Sequence, residues 1–324
     1  MRPAAGRPTE PRASEASGRP ATAALASVAA AASGILVGAA IVATRFVIAQ
    51  TGPASLALLR YTIGFCCLLP PVLLAGRVRF APRDLAPIAL LGITQFGILI
   101  ALLNFGLQFI PSGRAALIFA TFPLLTMLFA AALGREQLTA AKSLGVLLTI
   151  AGVGFALGEK AMQWGATRGW LGELAVFASA LSGAVCSVLY RPYLRRYPTL
   201  AVSALAMLAS VGFLAVLAAR EGFFRAWPHF TTGGWLAVVF IGVNSGVGYY
   251  LWLWALGHTT PTRVTVFLAL SPVTAAGLGA WLLAEKVSAL MLLGLACVVV
   301  GLWLAHRPSP ASAEPRVARP EGVG

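Results

Sequence analysis

Two stretches of this sequence follow one pattern: residues 114–138 read RAALIFATFPLLTMLFAAALGREQL, and residues 263–287 read RVTVFLALSPVTAAGLGAWLLAEKV. The second stretch lies 149 positions after the first without a gap, so that Pro123 aligns with Pro272. The same shift pairs further residues of matching type: Arg114 with Arg263, Glu136 with Glu285, Gly145 with Gly294, and Gly152 with Gly301. Apolar composition alone does not produce identities at Pro, Gly, Arg and Glu in one register, so the chain contains an internal repeat.

The composition assigns the repeat to a lipid environment. Of the 324 residues, 59% are hydrophobic and 10% are charged, against roughly 45–50% and 25% in soluble domains. The net charge is +14, but the basic residues stand in short groups between apolar runs. A nucleic-acid partner is therefore not expected, because it needs basic residues clustered on a water-facing surface. The expected partners are the lipid bilayer and a small-molecule substrate, and the oligomeric state is left open.

Ten apolar segments, separated by short turns, are long enough to cross a bilayer. They are residues 24–49, 54–75, 84–108, 113–133, 141–158, 169–190, 199–219, 233–257, 262–284 and 287–305. Segments of about 20 residues match a hydrocarbon core about 30 Å thick, and the alternating pattern of a β-barrel is missing. The predicted fold class is an all-α polytopic membrane protein with ten transmembrane helices in two inverted five-helix repeats.

The repeat is expected to be inverted because each copy holds an odd number of spans, so the second copy enters the membrane from the opposite side. The predicted domains are a disordered basic tail (1–22), the first five-span repeat (23–158), the second (169–306) and a disordered C-terminal tail (307–324). Inverted repeats supply two related conformations, and their binding sites lie between the halves near the midplane.

The distribution of basic residues predicts the orientation. Placing both termini in the cytoplasm puts 16 Lys and Arg residues in cytoplasmic tails and loops and six in the loops on the other side. This bias follows the positive-inside rule. We therefore expect a multi-pass protein of the cell membrane, inner or plasma, with both termini cytoplasmic.

Several motifs resemble one transporter family. The hairpins LGREQLT (133–139) and LAEKVS (283–288) are each followed by a Gly-x6-Gly span, and Leu59-Arg60-Tyr61 is similar to a Leu-Arg-Phe signature. With ten spans as five plus five, the chain resembles the EamA-like family of the drug/metabolite transporter superfamily over residues 24–305. The resemblance implies transport of small metabolites, amino acids included. The first span departs from the family's Trp-Gly-Ser/Thr-rich pattern at residues 38–45, so it carries over no substrate contacts.

Polar groups inside a bilayer are costly, so each is a candidate for function. Arg45 could attract a substrate carboxylate or instead extend to the interface. Arg60 could contact the substrate, whereas the resemblance implies a packing or gating role for it. Gln95 and Asn244 align under the 149-residue shift. These two amides suit a polar or zwitterionic ligand, or alternatively a hydrogen bond between helices. Asn104 is a further candidate.

Aromatic residues and prolines complete the predicted site. Tyr249 and Trp252 share one helix face, and we expect them to line the cavity, although Tyr and Trp are also typical of membrane interfaces. Tyr190 is a further cavity candidate. Pro123 and Pro272 are expected to kink their helices and are candidate hinges.

Enzymatic function is not expected, because the sequence has no Walker loop, no Ser-His-Asp set and no His or Asp cluster. No cofactor or metal is expected either. We therefore predict a secondary transporter, an exporter of amino acids or related small metabolites that works by alternating access. The alternatives are efflux of hydrophobic drugs or of a nucleotide-linked metabolite, or a membrane scaffold without transport activity.

Overall fold

The computed structural model describes residues 14–76, 78–134, 139–161, 169–226, 228–258, 267 and 270–305, and this part of the chain is helical without strands. Its helices are α1 (Ser14–Val47), α2 (Pro53–Leu74), α3 (Pro82–Gly92), α4 (Leu99–Gly106), α5 (Ser112–Phe119), α6 (Phe122–Ala132), α7 (Ala140–Ala161), α8 (Gly169–Leu189), α9 (Arg191–Arg196), α10 (Thr199–Arg220), α11 (Thr232–His258), α12 (Leu270–Leu283) and α13 (Ala289–Ala305). Helix α1 begins inside the segment predicted as an N-terminal tail. Residues 1–13, Glu136, Arg263 and the C-terminal tail 307–324 lie outside the described residues.

Seven helical segments of this part are long and apolar enough to span a bilayer. They are Ser27–Gln50, Pro53–Leu74, Pro82–Gly106, Ser112–Ala132, Gly169–Arg196, Thr199–Arg220 and Thr232–Trp252. Three shorter apolar helices accompany them: Ala140–Phe155, Leu270–Leu283 and Ala289–Leu304. The predicted all-helical class with several membrane spans is therefore confirmed.

Two of the spanning segments are interrupted. A π-helical turn, Ile93–Ile98, joins α3 to α4, and such single-turn insertions are frequent at functional sites. Between α5 and α6 the helix breaks at Ala120 and Thr121, directly before Pro123, which has no N–H to continue the ladder. Pro272 lies in the first turn of α12.

Glycines allow α7 and α13 to pack at very short distance. A methyl group at Gly152 would lie 2.6 Å from the Gly294 carbonyl oxygen, and one at Gly301 would lie 2.6 Å from the Gly145 carbonyl oxygen. These contacts leave no room for a side chain. The first glycine of each Gly-x6-Gly motif therefore meets the second glycine of the other, so the two helices run antiparallel.

Helix α2 shows how the bundle separates its interior from its lipid-facing surface. Leu56, Ala57, Tyr61, Gly64 and Leu68 are buried on one side of the helix. The residues on the opposite side are exposed apolar or small polar groups: Thr62, Cys66, Leu69 and Leu73. The buried side packs against α10 and α11, which brings the second half of the chain against the first.

Candidate substrate site

Arg60 is the charged residue of α2 and lies on the buried side of the helix. It lies seven residues after Pro53, which is about 10 Å along the helix axis. Its Nε donates a hydrogen bond of 2.5 Å to the Ser245 hydroxyl on α11. That hydroxyl in turn donates to the Ile241 carbonyl at 2.8 Å. Ser245 is thus oriented by its own helix to accept from the guanidinium.

An aromatic wall lies beside this pair. The guanidinium carbon of Arg60 is 5.7 Å from the ring centre of Tyr61. Tyr61 packs against Phe96 with ring centres 5.2 Å apart, and Phe96 packs edge-on against Tyr249 at 5.0 Å. The wall therefore joins α2, the π-helical turn and α11. Tyr190 of the α8–α9 junction lies near Tyr249.

Two polar atoms of this region lack a hydrogen-bond partner among the described residues. They are the Oε1 of Gln95 and the hydroxyl of Tyr190. Gln95 lies in the π-helical turn, next to Phe96. Since buried polar atoms are nearly always hydrogen-bonded, these two atoms are available for a ligand or for another conformation of the protein.

The structure places three of the predicted site residues along the aromatic wall, namely Arg60, Tyr249 and Tyr190, and a fourth, Gln95, directly precedes Phe96 in the chain. It positions the other four elsewhere, as the next two paragraphs describe. Sequence reasoning missed Ser245 and Phe96. The helical spacing could have found Ser245, because it lies one turn before Tyr249 on the same face of α11.

Asn244 and Trp252 contact α1 instead of the aromatic wall. The Asn244 side-chain nitrogen donates to the Leu36 carbonyl at 2.8 Å, a hydrogen bond between helices. Trp252 packs against Ala29 and Ala30 of α1.

Asn104 and Arg45 lie at helix ends. The Asn104 side-chain nitrogen donates to the Pro53 carbonyl at 3.0 Å. Arg45 donates through Nη1 to the Leu107 carbonyl at 2.8 Å, and its Nε lies 3.9 Å from the Glu285 carboxylate. In this structure Arg45 therefore contacts residues at the end of the bundle.

The same end of the bundle carries Glu173, Glu221 and Glu285, and we call it the three-glutamate face. Glu285 accepts the backbone N–H of Ser112 at 2.9 and 3.1 Å and the Ser112 hydroxyl at 2.6 Å. Glu221 accepts two backbone N–H groups at the start of α2, at 2.8 and 2.9 Å. Glu173 lies 3.5 Å from Arg114. The carboxylates of Glu285 and Glu221 cap helix N-termini, where negative charge is stabilised.

Backbone geometry directs Glu285 toward α5. Ala284, which follows α12, has a left-handed φ of 51°, and this conformation is unfavourable for a residue with a Cβ. The Glu285 N–H donates to the Gly279 carbonyl at 3.1 Å. Gly279 has no side chain, and a methyl group there would lie 2.5 Å from the Glu285 carboxylate. The turn therefore positions the carboxylate between α12 and the start of α5.

A different contact joins the helices at the opposite end of the bundle, which we call the Asp84 face. The Asp84 carboxylate accepts hydrogen bonds from Arg196 at 2.8 Å and from the Tyr197 hydroxyl at 2.7 Å. The Tyr197 hydroxyl also accepts the Ala81 N–H at 3.1 Å. This contact links the start of α3 to the end of α9.

Seven apolar helical segments of spanning length and three shorter apolar helices, with polar groups between them, define a multi-pass membrane protein. The model of the EamA-like transporter family matches residues 24–158 and 170–307. The chain belongs to the EamA-like transporter family.

Some relatives of the chain are named as exporters or efflux pumps, and others as uncharacterized transporters. A Streptantibioticus cattleyicolor protein named "Probable terminal-alkyne amino-acid exporter" is 31% identical over 79% of this chain and 84% of its own length. A Salmonella typhimurium protein named "Probable amino-acid metabolite efflux pump" is 27% identical over 73% of this chain and 85% of its own. A solved crystal structure of a protein with 26% identity superimposes with a TM-score of 0.64, covering 88% of this chain and 96% of that one.

Proposed function

We propose that this protein is a secondary transporter that exports amino acids or related small metabolites by alternating access. In this proposal ten spans form two inverted five-span repeats, 23–158 and 169–306. The protein lies in the cell membrane with both termini cytoplasmic. The three-glutamate face is then extracytoplasmic, and the Asp84 face is cytoplasmic.

The observation that carries the proposal is the reciprocal glycine contact between α7 and α13. In the 149-residue register these helices are equivalent, and Gly145 meets Gly301 while Gly152 meets Gly294. Exchanging the two repeats therefore converts one contact into the other. Such a reciprocal contact is the signature of a two-fold axis. An axis that relates antiparallel helices lies in the membrane plane, as inverted repeats require.

A second pair of contacts obeys the same exchange. A methyl group at Gly246 would lie 2.9 Å from the Gly64 carbonyl oxygen, and one at Gly97 would lie 2.9 Å from the Phe213 ring. Adding 149 to 64 gives 213, and adding 149 to 97 gives 246, so each contact is the image of the other. This supports a two-fold relation that extends beyond one helix pair.

The contacts at the two faces fit alternating access. Glu285 of the second half caps Ser112 of the first, and Arg196 of the second half pairs with Asp84 of the first. The three-glutamate face can open only if Glu285 leaves Ser112, and the Asp84 face can open only if Asp84 and Arg196 separate. Pro123 and Pro272 stand beside helix interruptions or ends, so they are our candidate hinges between the two states.

The names of the relatives and the buried polar region support amino acids or related metabolites as substrates. Our proposed substrate contacts are Arg60, Gln95, Tyr249 and Tyr190. Trp252, Arg45, Asn104 and Asn244 also stay proposed contacts, although in this conformation they contact other helices and not the aromatic wall.

Transport by purified protein tests the function. The protein is reconstituted in liposomes loaded with unlabelled amino acids, and the entry of labelled amino acids by exchange is measured for a full panel. We expect exchange above that of empty liposomes for at least one substrate. Exchange equal to that of empty liposomes across the panel would contradict the proposal.

Topology is tested separately by single cysteines in the hairpins 133–139 and 283–288. A membrane-impermeant maleimide should label them from opposite sides of the membrane. Labelling from the same side would exclude inverted repeats.

A further inference from the structure

Arg60 carries a positive charge on the interior side of the bundle. The exposed residues of α2 lie on the opposite side of the helix, so the partly exposed Arg60 side chain lies on the side that packs against the rest of the bundle. Ser245, its partner, lies near the middle of α11 and is buried. A charge at such a position requires a compensating group.

No carboxylate supplies this compensation among the described residues. All four acids with described side chains contact other groups: Asp84 with Arg196 and Tyr197, Glu173 with Arg114, Glu221 with Ala54 and Ser55, and Glu285 with Ser112 and Arg45. Within this part of the chain, Arg60 has a hydroxyl and an aromatic ring as neighbours instead of a counter-charge.

The guanidinium retains its capacity to bind an anion. Only Nε takes part in the hydrogen bond to Ser245, whereas the two terminal nitrogens have no hydrogen-bond partner among the described residues. These terminal N–H groups form the planar fork that binds a carboxylate through two parallel hydrogen bonds. Ser245 holds the other side of the guanidinium and so fixes the direction of the fork.

The neighbouring groups restrict the rest of the ligand. Tyr61, Phe96 and Tyr249 offer an apolar aromatic surface, which suits an aliphatic or aromatic body. The free Oε1 of Gln95 can accept a hydrogen bond from an amine or hydroxyl. A single arginine balances one negative charge, which favours a monoanion over a phosphate dianion.

We propose that Arg60 and Ser245 form the carboxylate subsite of this protein, and that its substrates are small carboxylates with an apolar or aromatic body. The inference rests on the proposed function and names the substrate class of that site. Cationic amphiphilic drugs are then excluded, because they would place a second positive charge beside Arg60.

Binding to purified protein in lipid nanodiscs tests this assignment with three matched probes. Phenylalanine carries the carboxylate, phenylalaninamide lacks it and is cationic, and 1-amino-2-phenylethylphosphonate replaces it with a phosphonate dianion. Binding is measured by ligand-dependent thermal stabilisation and by intrinsic tryptophan fluorescence. We expect the wild type to bind phenylalanine at least tenfold more tightly than either other probe, since the fork matches a carboxylate monoanion.

Variants locate the effect. Arg60→Gln should weaken phenylalanine binding by at least tenfold, Arg60→Lys should weaken it less, and Ser245→Ala should weaken it while the preference for the carboxylate persists. Arg79→Gln is the matched control, because Arg79 is exposed in the segment between α2 and α3. Size-exclusion profiles identify any variant that fails to fold, in which case Arg60→Lys and Ser245→Ala carry the test.

The possible outcomes separate this inference from the proposed function. Carboxylate binding that depends on Arg60, without transport in liposomes, would support the subsite and contradict the transporter. Transport with unchanged KM and charge preference in Arg60→Gln would overturn the subsite and leave the transporter standing. Binding of phenylalaninamide as tight as that of phenylalanine, or no carboxylate binding by the wild type, would also overturn it.

Discussion

Replacing Glu285 with alanine is expected to open the three-glutamate face. Both oxygens of the Glu285 carboxylate accept the Ser112 N–H, and one accepts the Ser112 hydroxyl. Glu285 belongs to the second half of the chain and Ser112 to the first. Under alternating access the halves separate at this face, so these hydrogen bonds exist only while the face is closed. Their loss should therefore favour the open conformation.

The magnitude follows from the contacts. A hydrogen bond to a charged group contributes about 1.5–3 kcal/mol, and losing a helix N-cap costs about 1 kcal/mol. The Arg45 Nε lies 3.9 Å from the Glu285 carboxylate, and the two side chains are 34% and 14% exposed. This ion pair therefore adds little to the free-energy difference between the closed and open conformations. We expect a shift of about 3 kcal/mol for Glu285→Ala, roughly 150-fold in the equilibrium. Glu285→Gln keeps an acceptor oxygen, so a shift of about 1 kcal/mol, roughly fivefold, is expected.

Cysteine accessibility measures this shift. Thr44 is 1% exposed in α1, one residue before Arg45, so Thr44→Cys in a variant without the four native cysteines reports opening of this face. The rate of labelling by a membrane-impermeant maleimide should rise in the order wild type, Glu285→Gln, Glu285→Ala. Lys286→Ala is the control, since Lys286 is exposed on the same turn. Equal rates in wild type and folded Glu285→Ala would refute the reasoning.

Three further predictions concern the helix contacts and the amides. Gln95→Leu should abolish exchange in liposomes without lowering the melting temperature, because Oε1 of Gln95 has no hydrogen-bond partner among the described residues. Asn244→Leu should lower the melting temperature, because it removes a hydrogen bond to α1. Equal melting temperatures for the two variants would contradict this difference. Gly152→Leu should prevent folding or lower the yield of monodisperse protein on size exclusion. Gly154→Leu is the control and should leave the yield unchanged, because the space at Gly154 is open. The same yield for both variants would contradict the glycine contact. Asp84→Asn should raise maleimide labelling of a cysteine buried at the Asp84 face, because its ion pair is lost; unchanged labelling would contradict a closing role.

Much of the fold could be predicted from the sequence because apolar runs of bilayer length have few alternatives to a helix. The segments predicted at 54–75 and 113–133 match the observed Pro53–Leu74 and Ser112–Ala132 to within one residue at each end. The π-helical turn at Ile93–Ile98 could not be predicted in this way. It changes hydrogen-bond register inside an apolar run, and apolar patterning carries no signal for such a change.

The site was less predictable because partners across the bundle are not encoded by local spacing. Arg60 was a candidate from its charge, but nothing local identifies Ser245, 185 residues later, as its partner. Glu285 belongs to the hairpin 283–288 by sequence, yet it caps a helix that begins 173 residues earlier. Such pairings follow from the packing of the two halves, and only the structure supplies that packing.

The two halves differ at the candidate site, and this difference has a functional consequence. Under the proposed exchange of halves, Arg60 corresponds to Ala209 and Ser245 to Phe96, so the image of the Arg60–Ser245 pair is uncharged. A two-fold axis alone would make the two conformations equal in energy. Because Arg60 has no charged counterpart in the other half, a bound carboxylate interacts differently with the protein in the two conformations. A ligand shifts a conformational equilibrium only through such a difference in binding. Under the proposed mechanism, the divergence at these positions is one way in which the substrate itself can bias which face of the bundle opens.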